Sequence, residues 1–333
     1  MGERLAYIDI ARGLLIIMVV CGHFELMCRL CFGISDPVVT FFDRCQNIWI
    51  VFLMPAFFYI TGFCTNFNKS FRSFVQSGIK TILLPAYILQ VIFQLSDYVC
   101  KDASLIWILK TLIKNTILHC TGEWFIPSLF LARILLWFIT KSDFKALKYI
   151  YVFCLFAVGL ILYNGDFHIP NVWYFKHSFM VTPFVLFGYE MKGVSLDKRI
   201  ESISIITYII IISLLLILNF HIPRITSRVI LPYDECVLFL ILSVLGIIAI
   251  ICVSKSIKNH KSLEWIGKNT LVIYLLHFQF YQIYIRIVNS FFNLSIIGTI
   301  GIIFSVVIIT FISSCFVAWL LNTKYLRFIL GKY

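Results

Sequence analysis

The sequence predicts an all-α polytopic membrane protein, and three observations carry that prediction. Of 333 residues, 61% are hydrophobic and only 13% charged, with a mean hydropathy of +0.95, too apolar for a globule with a polar surface. Uncharged runs such as SIITYIIIISLLLIL, Ser204 to Leu218, approach the roughly 20 residues that an α-helix needs to cross about 30 Å of hydrocarbon. The sequence lacks the alternating segments of about ten residues that mark a transmembrane β-barrel.

Apolar runs set off by polar interruptions give about ten transmembrane helices. The first, about 10–29, contains DIARGLLIIMVVCGHFE; with Asp9 and Arg12 and without a small-residue cleavage site, it reads as a retained helix rather than a signal peptide. The second, about 46–65, carries MPAFFYITGF, and the third, about 80–97, opens with KTILLPAY. The run near 104–118 is interrupted by Lys110 and Lys114, which predicts an amphipathic interfacial helix rather than a span. Spans follow at about 124–140, with Arg133 inside, at 149–164, and at 172–190, ending in FGYEM. The last four are the uncharged run at about 201–218, then 234–253, 265–286 with His277, and 297–320.

The net charge of +12 is read through topology before any nucleic acid is invoked. With a cytoplasmic N-terminus, seventeen Lys and Arg fall on the inner face and nine on the outer, leaving Arg12 and Arg133 within the membrane. That asymmetry places both termini inside and leaves nucleic acid no part as a partner; the partners are membrane lipids and substrate. The 11 cysteines are scattered through apolar segments; the single CxxC, Cys28 and Cys31, is read as buried structural cysteine, with no metal expected. Without repeats or linkers, residues 1–333 read as one membrane domain, whose chemistry must come from intramembrane or loop residues.

Several polar residues sit in these apolar segments. Arg12 and His23 are eleven residues apart, three helical turns within about 20° of rotation and about 16 Å along the axis, so they share one face. Asp9, one turn before Arg12, can pair with it and lower the cost of a guanidinium near hydrocarbon. His277, about twelve residues into a helix that also starts inside, should lie at the depth of His23. A neutral imidazole in a partly dry cavity can accept a hydroxyl proton, which suits a general base; bonding to a neighbouring helix is the plainer alternative. Arg133 could bind an anion or pair with a carboxylate. Glu123 and Trp124 stand at the outer end of the fourth helix, where tryptophan anchors at the interface or, alternatively, touches substrate. Glu25 is an interfacial charge without an assigned role, and Glu190 lies at an inner helix end, read as solvated.

These residues resemble the integral-membrane acyltransferase-3 family of bacterial sugar O-acyltransferases. RLAYIDIARGLLIIMVVCGH matches its opening motif at Asp9, Arg12, Gly13, Gly22 and His23. MPAFFYITGF, with Thr61 and Gly62, KTILLPAY, EWFIPSLF, FGYEM and IGKNTLVIYLLH follow in order, and MPAFF and EWFIPSLF look most like the fucose 4-O-acetylase-like branch. The resemblance implies ten helices, acetyl-CoA or another acyl-CoA as co-substrate arriving from the cytoplasm, and O-acetylation of a polysaccharide or lipid-linked glycan in the bacterial inner membrane. It implies that Arg12 and His23, beside Asp9, are the catalytic set. Arg72 and Lys80 are the candidates for the donor's phosphates, although the family often has closely paired arginines there. His277, Arg133, Glu123, Trp124 and Thr61 are the candidates for substrate binding. His23 would deprotonate the acceptor hydroxyl directly, or an acyl-histidine would carry the group.

A glycan exporter or other transporter is the competing reading, since intramembrane charges also mark substrate paths in carriers. Against it, no matching pair of Gly/Pro-interrupted helices marks an inverted repeat. A structural or assembly role leaves the alignment of Arg12 with His23 unexplained.

Overall fold

The computed structural model describes residues 5–32, 37–101, 104–120, 123–142, 144, 146–165, 167–194, 197–218, 221–224, 231–257, 260–291 and 296–331. The side chains of residues 25–32, 93–101, 289–291 and 296–299 lie outside the described set, and with them Glu25 and the pair Cys28 and Cys31. The described residues form helices and no strand. Among the described residues eight helices are long and apolar enough to cross a membrane, and they coincide with eight of the ten expected spans. The other two expected spans are helices of 15 residues, Phe125–Ile139, and 16 residues, Phe175–Glu190.

The chain divides into two compact units. The first comprises Met1–Met54, Leu196–Ile222 and Ile241–Thr323. At its centre is α1, Ala6–Phe32, with Ile10, Ala11, Leu15, Ile16 and Val20 almost fully buried. The first part of α2, Pro37–Cys64, belongs here, and it begins nine residues before the expected start at 46 because Pro37 suits a first helical turn. Pro55, within the same helix, has no N–H to give the Val51 carbonyl, and Ser243 donates its hydroxyl there instead at 3.2 Å. The thirteen α-helices continue here, after those of the second unit, as α9, Lys198–Ile217, α10, Cys236–Ser256, α11, Lys261–Lys268, α12, Thr270–Phe291, and α13, Ile296–Leu321. The expected single helix over 265–286 is thus broken at Asn269, whose buried side chain accepts from Asn322 at 2.6 Å.

Packing of α1 against α11 brings backbone onto backbone. A Cβ at Gly13 would strike the Leu263 carbonyl, and one at Gly267 the Asp9 carbonyl. Small residues that let helices touch are the usual means of association where lipid removes the hydrophobic drive. Elsewhere in this unit Ile203, Ile206, Ile210, Leu214 and Ile217 of α9 point outward, the pattern of a lipid-facing helix rather than a water-facing one. Ser254 and Ser314 bond carbonyls four residues back, so their hydroxyls are satisfied within their own helices.

The second unit comprises Pro55–Ser195, Pro223–Leu240 and Lys324–Tyr333. It holds the end of α2, then α3, Phe71–Gly78, a π-helical stretch Ile79–Leu83, and α4, Leu84–Lys101. The π-helical turn lies just before Pro85, which has no N–H, and the Leu84 N–H bonds the Ile79 carbonyl five residues back. Arg72, expected between spans, and Lys80, expected to open the third, therefore lie on one helical run. Then come α5, Leu105–Lys114, α6, Phe125–Ile139, α7, Leu147–Asn164, and α8, Phe175–Glu190. The amphipathic helix expected near 104–118 forms as α5 plus a π-helical turn, capped by Ser104, whose hydroxyl accepts from the Trp107 N–H at 3.2 Å. In the same unit α2 meets α8 closely, since a Cβ at Gly62 would collide with the Val185 carbonyl and one at Gly188 with that of Tyr59.

Candidate active site

In the first unit α1 and α12 bring two histidines together. The ring centroids of His23 and His277 are 5.0 Å apart, and Phe278 and Tyr281 lie 5.6 and 5.8 Å from His23. Tyr281 is fully buried and donates its hydroxyl to the Val20 carbonyl at 2.7 Å, tying α12 to α1 three residues before His23. The sequence analysis overlooked this tyrosine, although IYLLHFQFY places it four residues after His277, on the same helix face.

His277 is 3% exposed, and its Nδ1 lies 2.6 Å from the Tyr274 carbonyl. A carbonyl can only accept, so Nδ1 carries the hydrogen and Nε2 keeps its lone pair. That Nε2 is buried with no hydrogen-bond partner among the described residues. Half-buried His23 presents a second imidazole to the same place. Three turns toward the N-terminus, Arg12 reaches buried Asp9 at 3.5 Å, the pairing expected from their spacing. Arg12 keeps 26% of its side chain exposed while Asp9 keeps 2%, so the pair sets a partly exposed guanidinium against a buried carboxyl.

On α2, Gln46 and Trp49 approach Gly22 of α1. A Cβ at Gly22 would lie 3.5 Å from Gln46 Nε2 and 3.9 Å from Trp49 Nε1. Gln46 Oε1 and Trp49 Nε1 are both buried without a partner. Each such orphaned group costs about 1–3 kcal/mol. The sequence analysis started α2 at 46 and so left DRCQNIW at the membrane surface; Pro37 was the signal for a longer helix.

The second unit holds the other expected residues. The Arg133 guanidinium stacks over the Phe74 ring at 5.1 Å and lies beside Gly78. Among the described residues it pairs with no carboxylate, and its Nε is buried without a partner, so of the two expectations the carboxylate is not supplied. Arg72 and Lys80, on the same helical run as Phe74 and Gly78, are exposed. The Thr61 hydroxyl donates to the Phe57 carbonyl at 2.9 Å, which leaves its oxygen free to accept. Lys176, one of the nine basic residues counted on the outer face, is 8% exposed and donates to the Leu162 carbonyl at 3.2 Å.

Trp124 and Glu123 belong to a polar cluster that the sequence analysis missed. Buried Trp124 lies 5.1 Å from the ring of His177, which is 1% exposed. The Tyr163 hydroxyl bonds that ring, 2.7 Å from Nε2, and Asn171 Nδ2 is 3.1 Å from its Nδ1. Trp173 and Tyr174 both adopt positive φ, 52° and 54°, in the turn that leads into α8. Non-glycine residues held there store strain of order 1–3 kcal/mol, characteristic of functional or tightly constrained turns. His177 in WYFKHSFM was the available signal.

Burial holds the Glu123 carboxyl above its ordinary range. The folded protein then keeps the proton more tightly than the unfolded chain, so ionising Glu123 costs stability as pH rises through that raised range. Glu123→Gln removes the cost. Its unfolding midpoint relative to wild type is expected to rise as pH climbs above the ordinary carboxyl range, and a difference that stays flat would contradict this account.

Comparison with known proteins gives one positive finding. A family model described as an acyltransferase domain matches residues 5–319, from the start of α1 almost to the end of α13. No curated protein matches, and neither does any solved structure.

Proposed function

Because the chain belongs to the acyltransferase-3 family, and is thus a multi-pass membrane acyltransferase, we propose that its donor is acyl-CoA, with acetyl-CoA foremost, and its acceptor a carbohydrate hydroxyl. The observation that carries this reading is the pair His23 and His277, two imidazoles 5.0 Å apart in an apolar interior with one buried lone pair uncommitted. Such a pair suits proton transfer from a hydroxyl far better than passage of a solute.

His23 takes the proton of the acceptor hydroxyl as its oxygen attacks the thioester carbonyl carbon. The carbon–sulfur bond breaks, the ester remains on the acceptor, and the departing thiolate takes the proton from the His23 imidazolium. His277 accepts a hydrogen bond through Nε2 and so holds either the hydroxyl or His23 in place. Arg12, balanced by Asp9, supplies positive charge on the same face of α1. Exposed Arg72 and Lys80 are the proposed ligands of the donor's phosphates, and Arg133, charged and without a carboxylate, fits an anionic substrate group. Trp124, Glu123 and Thr61 offer a ring, a carboxyl and a hydroxyl lone pair, groups that suit a sugar. Ten crossings with both termini cytoplasmic, the bacterial inner membrane, a cell-surface or lipid-linked glycan and the fucose 4-O-acetylase-like branch complete the proposal.

Membranes containing the protein, given radiolabelled acetyl-CoA and a host glycan extract, are expected to move label into the glycan. If longer acyl-CoA donors and acetyl-CoA alike leave the glycan unlabelled, while control membranes prove active with their own enzyme, the donor assignment is wrong.

A further inference from the structure

Gln46 and Trp49 carry two buried polar atoms that nothing among the described residues satisfies, one an acceptor and one a donor. The Gln46 amide, through Nε2, and Trp49 Nε1 both approach the bare face of Gly22, 3.5 and 3.9 Å from where a Cβ would stand. Gln46 Nε2 also has no protein partner among the described residues. A methyl at Gly22 would stand in van der Waals contact with both the amide and the indole N–H. Gly22 precedes His23, and successive Cα atoms are 3.8 Å apart, which puts the Gln46 amide within about 9 Å of the His23 Cα. The two face adjoining sides of α1, since consecutive helical residues differ by about 100°.

A ligand that satisfies both atoms must donate to Gln46 Oε1 and accept from Trp49 Nε1–H. An alcohol does both with one hydroxyl or with two neighbouring ones; a carboxylate or phosphate accepts only and would leave Oε1 unpaired. The indole adds an apolar surface suited to the C–H face of a sugar ring. We propose that Gln46 and Trp49 form a hydroxyl-recognising subsite of the acceptor, bordering His23, which fixes which alcohol is presented for acylation. The proposal rests on the acyl-transfer function above and assigns the acceptor's contact residues within it. A trapped water would satisfy the same two atoms, and the experiment separates it from a sugar.

The test uses the full chain in lipid nanodiscs as wild type, Gln46→Met and Trp49→Phe, the first conserving volume and the second keeping an aromatic ring. With labelled acetyl-CoA and the glycan extract, both variants are expected to lose about tenfold in kcat/KM for the acceptor, with KM for acetyl-CoA within about twofold of wild type. Unchanged acceptor kcat/KM, or a loss confined to the donor's KM, overturns the subsite. A second reading needs no acyl transfer: methyl glycosides at about 100 mM raise the wild-type unfolding midpoint, and the variants lose that rise. If wild type moves no label at all, the function fails by itself and the glycoside reading decides the subsite. A rise present in wild type and absent from the variants upholds it; no rise in wild type, or a rise that persists in the variants, overturns it and leaves water as the occupant. Should Trp49→Phe fold poorly, Gln46→Met decides alone.

Discussion

Replacing His23 with alanine is expected to reduce acyl transfer by about a hundred- to ten-thousand-fold, equivalent to roughly 3–5 kcal/mol of barrier, while the protein still inserts and folds. The size follows from the role. An alcohol attacks a thioester slowly unless a base removes its proton as the bond forms, and His23 is half-buried beside His277. Folding depends less on this side chain, because among the described residues no hydrogen bond from its ring ties the helices together, whereas Tyr281 does so through the Val20 carbonyl. His277→Phe serves as the companion variant. It removes the uncommitted Nε2 and the bond to Tyr274 while keeping a ring, and a loss of about tenfold is expected if His277 positions rather than performs the transfer. Label incorporation at saturating acetyl-CoA measures both. Equal incorporation by wild type and His23→Ala would remove His23 from the chemistry, and a larger loss from His277→Phe than from His23→Ala would exchange the two roles.

Much of this was legible in the sequence because membrane helices are written in composition. The charge-free run of α9 and the spacing of Asp9, Arg12 and His23 need only the helical period and the thickness of hydrocarbon to be read correctly. Equal depth of His23 and His277 was expected from two helices assumed to start on one side, but depth alone does not say which helices are neighbours, and the 5.0 Å between the rings comes from the packing of α1 against α12. Helix ends were less readable. Polar residues near an end look like surface, so Gln46 was set at the start of α2 rather than inside it, and Arg72 was set on a loop. Burial of an isolated charge was hidden for a similar reason: Lys176 is satisfied by a main-chain carbonyl, and no side-chain partner in the sequence announces it. The cluster around His177 depends on Tyr163, Asn171 and Trp124 meeting across three stretches of chain, which spacing along one helix cannot reveal.

Gly267→Ala is expected to lower the unfolding midpoint by roughly 5–10 °C and to depress activity with it, corresponding to about 3 kcal/mol of overpacking. The added methyl would meet the Asp9 carbonyl, and because the obstacle is main chain on a buried helix turn, no side chain can swing aside to admit it. Either α11 moves off α1 or the first turns of α1 shift, and both disturb the Asp9 carboxylate and the Arg12 guanidinium it holds. Gly13 on the facing helix meets the Leu263 carbonyl in the same way, so the contact is reciprocal and cannot be relieved by a small rotation of one helix. Gly301→Ala is the matched control. It lies within α13 with nothing inside 4 Å of the new methyl, and alanine improves helix propensity by about 1 kcal/mol, so its midpoint is expected to hold or rise. Thermal unfolding of the three proteins in one detergent separates the cases. If Gly267→Ala matches Gly301→Ala, α1 and α11 are not in backbone contact, and the support described for Arg12 falls with it.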